Sequence, residues 1–174
     1  TKARHMQQGG AGGLGPVIRV DITGDASPDW DAFTWALWFQ IDNGSTLVWP
    51  HTLVDWNNHP TYGSHQGVNI VFNSGNLWVS FSGTTHIVTA AKLTEGTPHL
   101  LIITKRSGDN LVSVYFDGIL DGSFTQIGGL DMDYDIWDLP GRCIGHRQEN
   151  GVTQIGFPGW MCEVGVWARE GLEA

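Results

Sequence analysis

From Val17 onward, apolar residues recur with a period of two rather than 3.6, in runs of five to nine residues. The runs are separated by Asn43-Gly44, Ser74-Gly75, Gly108-Asp109-Asn110 and Asp117-Gly118, residue types that reach the backbone conformations of tight turns. A period of two sends successive side chains to opposite faces of a strand, and no segment holds helical apolar spacing over three turns. The spacing therefore predicts an all-β chain, an antiparallel β-sandwich. Strands are expected near 17–23, 33–41, 46–49, 52–56, 68–73, 76–82, 85–90, 98–105, 111–117, 119–125, 142–147 and 160–168.

Alternation also predicts which residues face each other. Val112, Val114 and Phe116 share one parity, matched by Val68, Ile70 and Phe72 and by Leu77, Val79 and Phe81, and these are expected to form the core between two sheets. The opposite parity carries Trp78, Ser80 and Ser82, and on other strands Trp38 and Tyr115. Those aromatics are expected on an outer sheet face, either open to a ligand or covered by loops.

At 174 residues the chain suits a single domain able to bury a core without a metal or disulfide staple. Residues 1–16 are read as a flexible arm, because Gly9, Gly10, Gly12, Gly13 and Gly15 oppose regular structure through their backbone entropy. Residues 17–174 form the sandwich domain. A disordered tail and an arm that orders on a neighbouring subunit, making a homo-oligomer, both fit such a stretch. Nine Lys and Arg stand against 18 Asp and Glu, a net charge of −9, which disfavours nucleic acid and anionic lipid as partners. No run of about 18 apolar residues suggests membrane insertion, and no charged-then-apolar leader is seen.

Three blocks, taken in order, resemble a known superfamily. They are Phe33-Thr34-Trp35-Ala36-Leu37-Trp38-Phe39, then Glu95-Gly96-Thr97-Pro98-His99-Leu100 with Tyr115-Phe116-Asp117-Gly118, then Ile144-Gly145-His146-Arg147 with Phe157-Pro158-Gly159-Trp160 and Met161-Cys162-Glu163-Val164. Over about residues 17–170 the chain resembles the laminin-G-like jelly rolls, a superfamily shared with concanavalin-A-like lectins, glucanases and pentraxins. The resemblance implies a concanavalin-A-like jelly roll and places Trp35, Trp38, Trp160 and Trp167 at family core positions. A bridge between Cys143 and Cys162 would echo the C-terminal disulfide of secreted laminin-G domains. The parity of Cys162 with Val164 and Val166 fits a buried free thiol equally well.

Nine tryptophans point to recognition, since indole faces stack on the C–H faces of sugar rings while Asn, Asp and Gln take hydroxyl groups. Trp49, Trp56, Asn57, His59, Tyr62 and His65 cluster in one polar and aromatic stretch, and with Trp78 and Tyr115 they form the candidate ligand-binding set. The same composition suits contact with another protein. Zinc is disfavoured, because His51, His59 and His65 have no i, i+2 or i, i+4 spacing.

Calcium is what the resemblance suggests. Pentraxins and many laminin-G domains hold it in the loop that here reads Gln148, Glu149 and Asn150, with Asp55, Asn57 or Asn69 as partners. No cofactor is required by the sequence. Asp131, Asp133 and Asp135 alternate as the paired carboxylates of glycoside chemistry do, but they contain no Glu and precede a loop-like stretch, unlike the strand motif of fold-related glucanases. Neither a nucleophile elbow nor a phosphate-binding loop is found.

The reading that follows is a non-enzymatic recognition module that binds glycan through exposed aromatics and polar loops. The alternative is a structural, decoration or adhesion protein of a larger assembly, such as a phage capsid or tail fibre, with other subunits as partners. Either role is expected outside the cell or on a virion surface.

Overall fold

The computed structural model describes residues 4–6, 18–19, 32–45, 51–56, 68–81, 84–125, 142–145, 148–149, 152–153 and 157–167. Among them run fourteen strands: β1 (Arg4–Met6), β2 (Ile18–Arg19), β3 (Phe33–Ile41), β4 (His51–Trp56), β5 (Val68–Asn73), β6 (Asn76–Phe81), β7 (Thr84–Val88), β8 (Pro98–Lys105), β9 (Leu111–Phe116), β10 (Ile119–Thr125), β11 (Arg142–Ile144), β12 (Gln148–Glu149), β13 (Val152–Thr153) and β14 (Gly159–Trp167). One 3-10 turn, Ala90–Lys92, is the only helical element among the described residues.

The strands form two six-stranded antiparallel sheets and a small ribbon. Sheet A has the order β1-β14-β3-β8-β9-β10, sheet B the order β2-β11-β4-β5-β6-β7, and β12 pairs with β13. The all-β sandwich expected from the alternation is therefore what forms. Strands β3, β5, β8 and β10 have the predicted bounds, whereas the predicted strand at 46–49 lies outside the described residues. Arg4–Met6, inside the stretch read as an arm, pairs with β14.

Strand β3 shows why the pattern works. Phe33, Trp35, Leu37, Phe39 and Ile41 are buried, and the residues between them are half-buried or exposed. Across the sandwich the Phe33 ring stacks on Phe81 at 5.2 Å between centroids, and Phe39 meets Phe72 edge-on at 5.7 Å. The predicted inward sets on β5, β6 and β9 all belong to this core. Each such side chain stabilises the fold by about 1.5–3 kcal/mol through loss of water contact.

Turns set the register. Ser74 and Gly75 have φ of 51° and 78°, and Asp117 and Gly118 have 52° and 80°, the positive pair that a two-residue type I′ hairpin needs. His99 locks the second hairpin from below. Its Nδ1 lies 2.8 Å from Asp117 Oδ2, and its Nε2 lies 3.0 Å from the Thr94 nitrogen and 3.2 Å from the Thr94 carbonyl oxygen. Asp117 Oδ1 in turn accepts the Leu100 N–H at 2.8 Å. The blocks that carry the family resemblance are thus structural here. Gly145 donates to the Leu53 carbonyl and accepts from Phe157 N–H, whose ring packs on Phe39 and Phe72.

Candidate functional site

Each sheet turns an outer face away from the core, and the two faces are built differently. On sheet B the register aligns Thr52 with Val71, Val71 with Trp78 and Trp78 with Ile87, giving one outward row across β4, β5, β6 and β7. The next outward row pairs Asn69 with Ser80 and Ser80 with Thr85. Ser80 Oγ and Thr85 Oγ1 share a hydrogen bond of 2.8 Å. Although they face away from the core, Thr52, Asn69, Val71 and Ser80 are only 1%, 5%, 8% and 8% exposed. Around Thr52, Asn69, Val71 and Ser80 this face is therefore covered, whereas Thr85 and Ile87 at the β7 edge are exposed.

Two atoms in it lack partners. The Thr52 hydroxyl and the Trp78 indole N–H are both buried and make no hydrogen bond. An unmet buried polar group costs about 1–3 kcal/mol. Val71 separates these two on the intervening strand, so both orphaned groups belong to the same row.

Sheet A presents a groove of about 430 Å³ lined by Trp38, Phe39, Gln40, Pro98, Trp160 and Cys162. Its position follows from β14 lying against β3, with Cys162 opposite Trp38 and Trp160 opposite Gln40. Trp38 and Trp160 are 36% and 42% exposed. Gly159 permits the close approach of the two strands, because a Cβ there would run into the Gln40 carbonyl oxygen.

Several expectations are corrected by these faces. Trp38 lies on the outer face of sheet A as its parity predicts, and with Trp160 departs from the core position that the family resemblance implies. Trp78 and Tyr115 do not share a face: Trp78 is on β6 in sheet B and Tyr115 on β9 in sheet A. Cys162 is a free, half-buried thiol lining the groove. It is neither bridged to Cys143, which stands on β11 in sheet B, nor buried with Val164, because the strand register shifts between Cys162 and Gly165.

Of the other candidate residues, Trp49, Asn57, His59, Tyr62, His65 and Asn150 lie outside the described residues, as do Asp131, Asp133 and Asp135. Trp56 and Asp55 end β4, with Trp56 opposite Val68, so the segment 57–67 joins the two central strands of sheet B at this end. Gln148 and Glu149 form β12, paired only with β13, and no strand pairing connects them to Asp55. His51 is buried in β4. Among the described residues no three His, Cys, Asp or Glu side chains converge as metal ligands. Thr52, Gln40 and Pro98 carry no recognisable sequence signal, since only strand register reveals their neighbours.

The ionisable side chains with described contacts serve the framework. Asp121 on β10 meets His86 Nε2 of β7 at 2.7 Å and also takes Lys92 Nζ. Burial pushes the Asp121 carboxyl up, but the hydrogen bonds from Lys92 and His86 outweigh it and hold the group below its ordinary value.

Comparison with solved structures fits this architecture. The CBM40 of the IT-sialidase from Ruminococcus gnavus, bound to α2,3 sialyllactose, superposes with a TM-score of 0.67 at 13% identity, over 98% of this chain and 91% of that one. Leech intramolecular trans-sialidase, complexed with 2,7-anhydro-Neu5Ac, gives 0.67 at 15% identity over 98% of this chain and 26% of its own. Domains LG4-5 of the mouse laminin α1 chain give 0.56 at 14% identity, over 88% of this chain and 39% of theirs. The chain thus has the lectin-like and laminin-G-like jelly-roll fold. No protein-family model and no curated protein sequence matches it.

Proposed function

We propose that the chain is a carbohydrate-binding module whose ligand engages the outer face of sheet B. The observation that carries this reading is the pair of buried, unpartnered groups at Thr52 and Trp78 in one outward row. An indole N–H only donates, whereas a hydroxyl both donates and accepts. A sugar hydroxyl or ring oxygen that displaces the cover now burying both atoms meets both needs and restores the hydrogen bonds that the bare protein forgoes. Asn69 and the Ser80–Thr85 pair stand in the neighbouring row, about 7 Å along the strands. Trp56 ends β4 of the same sheet, and Asn57, His59, Tyr62 and His65 follow it in the sequence, so they remain candidates for the same ligand.

The reading is of binding without turnover. Asp117 and Asp121 are engaged in holding hairpins and sheet edges, and Glu95 caps the Gly44 N–H at 2.7 Å. The sialyllactose bound to the Ruminococcus module, which this chain matches over 91% of its length, supports the ligand class. Contact here runs through neutral groups, so calcium is not needed for it, and such a module acts outside the cell or on a virion surface.

A glycan array containing neutral and sialylated sugars, run in calcium and in EDTA, tests the proposal with Thr52→Val and Trp78→Phe beside the parent. Saturable binding in both buffers, weakened at least tenfold by either substitution, is expected. Binding that ignores both substitutions moves the site elsewhere. Binding lost in EDTA transfers the role to calcium at Gln148, Glu149, Asn150 and Asp55. Silence of the whole array favours the assembly or decoration role.

A further inference from the structure

The groove on sheet A is not explained by a ligand on sheet B. The two sheets pack about 10 Å apart face to face and turn their outer faces in opposite directions. No single small sugar touches both. We propose that this groove is a second, independent carbohydrate site, selective for uncharged pyranosides, so that the domain holds two glycans on opposite sides.

Ring placement is the first argument. Cys162 stands directly opposite Trp38, and Trp160 lies two residues before Cys162, so the two indoles are diagonal neighbours on β3 and β14. That relation sets them about 7–8 Å apart along one face. Both are substantially exposed, at 36% and 42%. Large aromatic rings left open on a folded surface mark contact sites. Two such rings in a diagonal line offer stacking to one or two successive sugar rings.

Size and polarity give the second argument. A groove of about 430 Å³ lies within the range of small-molecule sites, which combine apolar walls with a few placed polar groups. Gln40, opposite Trp160, supplies the polar group here, with an amide that donates and accepts. Hydroxyl groups use both capacities.

Charge decides the class. None of Trp38, Phe39, Gln40, Pro98, Trp160 and Cys162 is cationic, and the chain as a whole has a net charge of −9. A carboxylated sugar entering such a groove is repelled by the protein field and finds no cation among the described lining residues to offset its desolvation. A neutral pyranoside has neither cost. The site shares only its general ligand class with the reading for sheet B and stands or falls separately.

The test uses the full chain and three neutral probes, cellotriose, maltotriose and xylotriose, with 3′-sialyllactose as the anionic comparison. Binding is followed by indole N–H chemical shifts, and oligomeric state by sedimentation. In the Thr52→Val, Trp78→Phe double variant, at least one neutral trisaccharide is expected still to bind and to shift the Trp38 and Trp160 signals. Sialyllactose is expected to leave those signals unmoved. Trp38→Ala or Trp160→Ala should weaken that neutral sugar at least tenfold. Gln40→Leu leaves both rings in place, guards against a folding artefact and should also weaken it at least fivefold. The proposal is overturned if no neutral probe shifts the two indoles, or if sialyllactose shifts them as strongly. It is equally overturned if Trp38→Ala dissociates a dimer of the parent, since the groove is then an interface between copies.

Discussion

His86 Nε2 closes on the Asp121 carboxylate at 2.7 Å, and in doing so joins β7, the edge of sheet B, to β10, the edge of sheet A. Asp121 sits at the register shift between Leu120 and Gly122, which turns its carboxylate into the gap between the sheets. Lys92, from the 3-10 turn after β7, takes the other oxygen. The open side of the sandwich is thus clasped by charge-assisted hydrogen bonds to the buried Asp121 carboxylate, the His86 one shielded from water and the half-exposed Lys92 one less so.

Asp121 should make the fold acid-sensitive. Its folded-state value lies below the 3.8 of a free carboxyl, so protonation favours the unfolded chain. The contribution is complete above about pH 4 and is lost as the pH falls through the lowered folded-state value. Replacing Asp121 with Asn is expected to cost about 2 kcal/mol at pH 7. It should also reduce the dependence of stability on pH below about 4. Urea titrations of both proteins from pH 2 to 7 measure the difference, and parallel acid limbs would show that the clasp does not contribute.

Gly122 is predicted to be indispensable for the same clasp. A Cβ at this position would collide with His86 Cε1 and stand 3.1 Å from Nδ1. Gly122→Ala should cost about 1–3 kcal/mol by displacing the imidazole from Asp121. In a His86→Ala background the collision disappears, so the same substitution should become nearly neutral. A double-mutant cycle reads the coupling directly; additive losses would place the strain elsewhere.

Much of the framework was legible in the chain because burial alternates residue by residue along β3, β8 and β9. The hairpins at Ser74-Gly75 and Asp117-Gly118 were legible for a different reason, the positive φ that their residues tolerate. Parity says whether a residue points inward or outward, but not which sheet its strand joins. Trp78 and Tyr115, both read as facing outward, therefore lie on opposite faces. Parity also fails across a bulge. Glu163, with φ of 51°, takes up the register shift after Cys162, so Cys162 sides with Trp160 rather than with Val164. The unmet groups of Thr52 and Trp78 depend on what packs over them, and no local pattern announces that.

His99 should be replaceable by a ring of similar shape only at a loss. It packs between Phe39 and Phe116, with centroids at 5.6 and 5.0 Å, while its nitrogens join Thr94 to Asp117. His99→Phe keeps the packing and removes both hydrogen bonds, for an expected cost of about 1–3 kcal/mol. Amide exchange locates the damage: the Thr94 N–H should lose protection, while Leu100, held by Asp117 Oδ1, should lose less. Equal exchange at both amides would mean that the whole hairpin had opened.

Thr52 and Trp78 allow a prediction that separates a binding role from a merely structural one. A buried hydroxyl with a good internal partner destabilises the protein when replaced by a methyl group, whereas one without a partner is a liability whose removal helps. Thr52→Val is therefore expected to raise the stability of the ligand-free protein by about 1 kcal/mol, which for a chain of 174 residues corresponds to a rise in Tm of about 2–4 °C. A saturating glycan should reverse the order, because the parent gains from binding through mass action and the variant gains less. Thermal unfolding with and without sugar measures both halves. A Thr52→Val protein that is less stable even without ligand would mean that the hydroxyl is already satisfied, and the argument for a ligand on sheet B would lose its footing.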